Sequence, residues 1–370
     1  MSDDTLRMLR DSAADFAGLD AARVRRLRGA EPGFERSVWR DMADMGWLGV
    51  LIPEESGGLG LDLRAALIIA EQLGRALYPE PYSASAVAAT LAVLHGDNAA
   101  LKQRLLPQLA AGETIAALAW QDARGGLDPA QCGVAARERG GRTVLDGSSR
   151  FVATPEADGY IVAARAAQGL ELHWIERAAA GLACEPERRA DGSACAWLRF
   201  DAVEARDATR LASGATAHAA LQLALDHALL AAGAELLGLM DCALAMTLDY
   251  LRTRVQFGRP IGANQALQHR AVDMYIQKEL TRATLAAALA AVLEPGCTPP
   301  RRAAAASSAK ARASQAALAI CKEALQMHGA IGYTDEYDLG LYFNRALVLS
   351  AWLGSAAAHR ARYAALLETA

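Results

Sequence analysis

The side chains best equipped for chemistry lie late in the sequence. One run, Arg254, Val255, Gln256, Phe257, Gly258, Arg259, Pro260 and Ile261, is followed by Gln265 and Gln268. Arg254 can supply charge-assisted bonds to a phosphate, Gln256 a polar donor and Phe257 an aromatic face. A second run, QMHGAIGYTDEYDLGLYFNRA, extends from Gln326 to Ala346, and its Gly329 and Gly332 permit close backbone approach to a ligand. An isolated Arg-x-x-Phe-Gly reads as a helix-ending loop with a structural Arg and a buried Phe. That plain reading is less apt for two such runs in one chain.

Other reactive side chains are less suited to chemistry. Asp226 and His227 are adjacent, but neighbouring helix positions point about 100° apart, so the two read as a cap-like or interface pair. His328 reads as a loop hydrogen-bonder, because no second metal-ligand residue stands at suitable spacing. Cys132, Cys184, Cys195, Cys242, Cys297 and Cys321 are scattered without a close pair, which suggests neither a metal site nor a disulfide framework and fits reduced thiols in a cytoplasm.

Three blocks must position these residues. Residues 1–113 read as a helical domain, with apolar residues at three- and four-residue spacing through VWRDMADMGWLGVLI and LRAALIIAEQLGRAL. The glycines of the intervening IPEESGGLGLD lack the strand and helix flanks of a dinucleotide fingerprint and read as a plain loop. Residues 114–212 change to short alternating or apolar runs such as GYIVAARA and LELHWIE, a small antiparallel β domain. Residues 213–370 return to long Ala- and Leu-rich periodic segments, a bundle of four or more helices.

With 370 residues, 53% hydrophobic, the chain can bury a sizeable core. Its 38 Lys plus Arg against 42 Asp plus Glu, with no basic stripe, argue against nucleic acid as a partner. The start has no apolar signal core, and the apolar stretch at 219–240 is interrupted by Asp226, His227 and Glu235, so no membrane insertion is expected.

The first run resembles the "RxQFGxPIxxxQ" signature of the acyl-CoA dehydrogenase family, and the second its "QxxGGxGYxxEYxxxRxxRDA" segment. MGWLGVLIPEESGGLGLD and LLPQLAAGE are similar to the family's N-terminal helical domain. The resemblance covers most of the chain in the right order. It implies a mainly α fold with a middle β-barrel domain, FAD as cofactor, an acyl-CoA substrate and an electron-transfer flavoprotein as acceptor. It also implies that Arg254, Gln256, Phe257, Gln265, Gln326 and Gly329 reach across a subunit interface to a neighbour's FAD. In the family, the stretch around Glu336 and Asp338 leads into a helix, where acids favour the positive end of the helix dipole.

Departures from the family pattern are concentrated where catalysis would occur. The reaction removes an α proton from the acyl thioester with a Glu while hydride leaves the β carbon. In the commonest branch that Glu lies nine residues after the Arg corresponding to Arg345, which is Gly354 here. A second branch places it at the position of Ala228. Neither residue can take a proton, and His227 remains a candidate base to test beside another acid. The family's flavin-cradling "TEPGAGSD" loop corresponds to Trp120–Asp128, without its Ser and Thr. Its "WIT" segment corresponds to Phe151, Val152 and Ala153, which keep the aromatic face and lose the hydroxyl.

What is lost serves a subunit's own flavin and substrate; what is kept serves a neighbour's. The resemblance therefore implies the base-lacking subunit of a heteromeric dehydrogenase, paired with a homologous Glu-bearing subunit. The alternatives are a self-sufficient flavoenzyme with a non-standard base or reaction, and a flavin-free scaffold or acyl-CoA-binding protein.

Overall fold

A computed structural model describes residues 3–368. The chain begins with helices α1 (Asp3–Phe16), α2 (Ala21–Leu27), α3 (Arg36–Asp44) and α4 (Leu63–Arg75). A π-helical stretch, Tyr82–Ala89, runs into α5 (Thr90–Leu94), followed by α6 (Ala99–Ala110). The periodicity has a direct counterpart in α3, which turns Trp39 and Met42 inward. Asn98 caps α6 by accepting from the Leu101 amide at 3.0 Å. Between α3 and α4, the glycine-rich segment is a loop with one 3-10 turn at Glu54–Ser56. A Cβ on Gly58 would fall 2.1 Å from the Ile52 carbonyl oxygen, so this glycine serves tight loop packing and not phosphate binding.

Eight strands follow: β1 (Ala116–Ala119), β2 (Val134–Arg139), β3 (Arg142–Val152), β4 (Gly159–Ala166), β5 (Gly169–Glu176), β6 (Leu182–Arg188), β7 (Ala194–Ala205) and β8 (Arg210–Ser213). They form one sheet in the order β6-β7-β3-β2-β4-β5-β8, with β1 also on β4. Pairing is antiparallel except that β1 and β2 both run parallel to β4, a departure from the purely antiparallel expectation. The physical reason lies in β4, whose GYIVAA run is buried on both faces as parallel pairing requires.

The C-terminal part comprises α7 (Gly214–Thr253), a small hairpin of β9 (Val255–Gln256) and β10 (Arg259–Pro260), then α8 (Gln265–Leu293), α9 (Pro299–His328), α10 (Leu339–Ala351) and α11 (Ala356–Glu368). Helix α9 packs against α8, α10 and α11. Thr298 caps it, with Pro299 and Pro300 in the first turn, where missing amides cost nothing. By length and composition α7 could cross a membrane, yet 78% of its most apolar stretch is buried inside the fold.

The chain divides into two compact units. The first holds Leu27–Ala66 and Pro79–Ala228; the second holds the N-terminal segment through Arg26, Leu67–Tyr78 and the chain from Leu229 onward. Within the first, Arg36 grips Asp158 through both guanidinium nitrogens, at 2.7 and 3.1 Å, fixing α3 to the start of β4. Within the second, α4 and α7 touch through glycines. A Cβ on Gly74 would lie 2.2 Å from the Glu235 carbonyl oxygen, and one on Gly238 would lie 1.9 Å from that of Glu71. Around this contact, Arg282 bridges Glu71 and Asp241, Lys278 pairs with Asp241 at 2.8 Å, and Arg345 pairs with Glu235 at 3.0 Å.

Candidate functional site

The first run folds as the β9–β10 hairpin, with Val255 opposite Pro260 and Gln256 opposite Arg259. Its two-residue turn is Phe257–Gly258, with φ of 54° and 76°. Two positive φ values define the tight hairpin turn that favours Asn-Gly, so a phenylalanine here carries backbone strain. Its ring gains nothing from the chain in return, being 102% exposed. The buried Phe of an isolated motif is not found here. The turn thus holds the aromatic ring out to solvent.

Arg254, Gln256, Gln265, Gln326 and Gly329 are all exposed as well. Arg254 anchors the base of the hairpin through its backbone: its amide donates to Tyr250 O at 2.9 Å and its carbonyl accepts from Ile261 N at 2.8 Å. Below the hairpin is an open apolar groove of about 510 Å³, lined by Leu248, Leu251, Pro260, Val272 and Tyr275 among others. Gln326 lies in the last turn of α9, and Gly329 follows that helix with φ of 66°.

His328 is not in a loop: it is the last residue of α9 and is 3% exposed. Its Nδ1–H donates to Ala324 O at 2.7 Å, Nε2 accepts from the Tyr337 hydroxyl at 3.0 Å, and the ring stacks on Tyr250 with centroids 4.4 Å apart. Burial holds its basicity below the ordinary histidine value. Asp338 sits at the N-terminal boundary of α10, as expected for an acid leading a helix, and pairs with Arg25 at 2.7 Å.

In the first unit, Phe151 lies on an irregular part of β3. The β3–β7 register shifts between Ser149 and Val152, and Phe151 takes φ of 61° with the ring 38% exposed. Such bulges re-aim side chains beside functional sites. The Trp120–Asp128 loop passes over this ring, since a Cβ on Gly125 would fall 3.2 Å from it. With its Ser and Thr missing, the loop bonds to itself: the Asp122 carboxylate accepts from the Arg124 and Gly125 amides, and Gln121 Nε2 donates to Gly126 O. Arg150 lies over the rings of Phe151 and Trp197, held by three bonds to Glu187.

Neither expected base position holds an ionisable group. Ala228 is buried in α7, and Gly354 follows α10 with φ of 112°. Asp226 and His227 are not cap-like, because both sit inside α7. Asp226 is buried and accepts from Gln222 at 2.9 Å, while His227 Nδ1–H donates to Leu223 O at 2.8 Å. Among the described residues no group of three His, Cys, Asp or Glu is placed to hold a metal, and the six cysteines are free.

A buried ammonium next to Gly354 escapes sequence reasoning. Lys310 on α9 is fully buried and donates to Ser314 Oγ at 2.9 Å, Leu349 O at 2.8 Å and Ser350 O at 3.2 Å, with Gly354 O at 3.4 Å. Burial lowers its pKa to about 7. The neighbouring His359 is buried, its Nε2–H donating to Leu353 O at 2.9 Å. The one available signal was positional: Lys310 falls on the Ala- and Ser-rich buried stripe of α9 that includes Ala303, Ala306, Ala313 and Ala317.

For flavin, the residues present fit one side of the ligand. The presented Phe257 ring, the exposed Arg254 and the glycine at 329 suit the charge and flat ring of a dinucleotide, whereas the self-bonded Trp120–Asp128 loop keeps little to offer beyond Phe151.

Residues 3–113 match the acyl-CoA dehydrogenase N-terminal domain, and residues 217–367 match the acyl-CoA dehydrogenase C-terminal domain. The chain is 32% identical over 352 residues to acyl-CoA dehydrogenase IpdE2 of Mycobacterium tuberculosis, covering 92% of this chain and 90% of that one. An acyl-CoA dehydrogenase of Bacillus subtilis is 28% identical over 359 residues, 94% of either chain. Among solved structures, a variant of the Tcur3481-Tcur3483 steroid ACAD is 31% identical with a TM-score of 0.89, covering 99% of this chain and 98% of that one. The ChsE4-ChsE5 complex from Mycobacterium tuberculosis is 25% identical with a TM-score of 0.90, covering 100% and 99%. Both ends of the chain match in the family's order, and a relative 32% identical spans nearly all of it: the chain belongs to the acyl-CoA dehydrogenase family.

Proposed function

We propose that this chain is the base-lacking subunit of a heteromeric, FAD-dependent acyl-CoA dehydrogenase that introduces an α,β double bond into an acyl-CoA thioester. The observation that carries the reading is the contrast within one chain. Gly354 and Ala228 offer no base, while Phe257 is held in a strained turn and fully presented beside an exposed Arg254.

In this reading a carboxylate of the homologous partner removes the α proton. Bound FAD supplies the acceptor for the β hydride. Arg254 neutralises phosphate charge, Phe257 covers a flat ring, and Gln256, Gln265, Gln326 and Gly329 complete the outward-facing set; Phe151 contributes an aromatic face from the sheet. Packing against a partner is supported by the face of α8, where Val272, Tyr275, Ile276 and Leu280 are exposed at helical spacing. Two similar solved structures carry paired names, Tcur3481-Tcur3483 and ChsE4-ChsE5, and the first is described as a steroid ACAD, which supports a paired assembly and a steroid-type acyl group. Another is described as an electron transferring flavoprotein of Acidaminococcus fermentans, 27% identical, in keeping with such a flavoprotein as the acceptor.

The test is FAD per chain, measured for this protein purified alone and co-expressed with a Glu-bearing relative. The expected result is flavin retained only in the mixed complex. Full, tight occupancy of the chain alone would overturn the reading.

A further inference from the structure

The two exposed runs leave the fold from different helices: the hairpin follows α7 and the glycine run follows α9. For Arg254, Phe257 and Gly329 to meet one ligand, these two exits must be held in register. The side chain found between them is His328. Its ring stacks on Tyr250, at 4.4 Å between centroids and 26° between planes, and Tyr250 is the residue whose carbonyl receives the Arg254 amide. Through Nε2 it also binds the Tyr337 hydroxyl at 3.0 Å, nine residues along the glycine run. Arg25 on α2 holds the same segment from another direction, Nε donating to Asp335 O at 2.9 Å and Nη1 pairing with Asp338 at 2.7 Å.

We propose that His328 is a positioning residue that ties the helix bearing the Arg254–Phe257 hairpin to the Gly329–Asp338 segment, so that both present their contacts to one ligand. This rests on the cofactor reading above. A single neutral tautomer makes both bonds: Nδ1–H toward Ala324 O and the Nε2 lone pair toward the Tyr337 hydroxyl. A residue that merely ended α9 would need the Ala324 bond alone. It would be indifferent to the Tyr337 hydroxyl, and this difference makes the role testable.

Tyr337→Phe removes one hydroxyl from a half-buried ring and keeps the ring itself. His328→Phe keeps a ring against Tyr250 and removes both hydrogen bonds. Arg254→Ala probes the cofactor reading itself. Each is made in the co-purified complex with the Glu-bearing relative, and FAD affinity is measured by flavin fluorescence beside the melting temperature. Loss of one buried hydrogen bond predicts about five-fold weaker FAD binding for Tyr337→Phe, at a nearly unchanged melting temperature. His328→Phe weakens binding at least as much, and the double variant no further than His328→Phe alone. If Arg254→Ala weakens FAD binding while Tyr337→Phe binds as the wild type does, His328 has no positioning role and the cofactor reading stands. If neither changes FAD binding, the cofactor reading falls and the positioning role falls with it.

Discussion

Acid should destabilise this protein through His359 in a way that one substitution removes. The imidazole is 1% exposed, with Nε2–H on Leu353 O at 2.9 Å and Nδ1 facing the Ser307 hydroxyl at 3.5 Å. Ser307 in turn accepts from Arg362 at 2.9 Å. Burial, with the nearby Lys310 and Arg362 charges, lowers the His359 pKa from 6.5 to about 4. Between those values the unfolded chain binds the proton and the folded one does not, so stability is intact at pH 7 and falls as pH drops through 6.5 toward 4. Relative to pH 7, linkage gives a loss on the order of 1 kcal/mol at pH 5.5 and on the order of 2 kcal/mol at pH 4.5 from this residue. Lys310, with a pKa of about 7, is largely protonated in both states across that window and adds little to the slope. Urea denaturation of wild type and His359→Gln at pH 7, 5.5 and 4.5 measures the difference. The wild type should lose stability faster than the variant by those amounts. Curves that fall in parallel would refute the argument.

Two further outcomes follow from the site. Phe257→Ala should leave the unfolding free energy of the isolated chain within about 0.5 kcal/mol of wild type, because the ring is wholly exposed; flavin retention of the mixed complex should drop, and retention at the wild-type level would separate the ring from the cofactor. Gly354→Glu should cost about 1–3 kcal/mol in the same denaturation assay, since φ of 112° strains any residue with a Cβ. It should also fail to create dehydrogenase activity in the chain alone, and a stabilised, active variant would sink this account.

Local chemistry was legible in the sequence wherever neighbours along the chain decide the outcome. The short runs GYIVAARA and LELHWIE that form strands and the three- and four-residue periods of α3 and α4 all depend on residues a few positions apart. The absence of an ionisable side chain at Gly354 and Ala228 is likewise a fact of sequence, needing only the resemblance to locate the positions. Tertiary structure decided everything that depends on what faces a side chain across the fold. It made β1 and β2 parallel partners of β4 and set His328 at a junction of Tyr250 and Tyr337. It also buried Lys310 against carbonyls thirty-nine and forty residues away. Burial and long-range hydrogen bonds are properties of pairs brought together by folding, and no single stretch of chain records them.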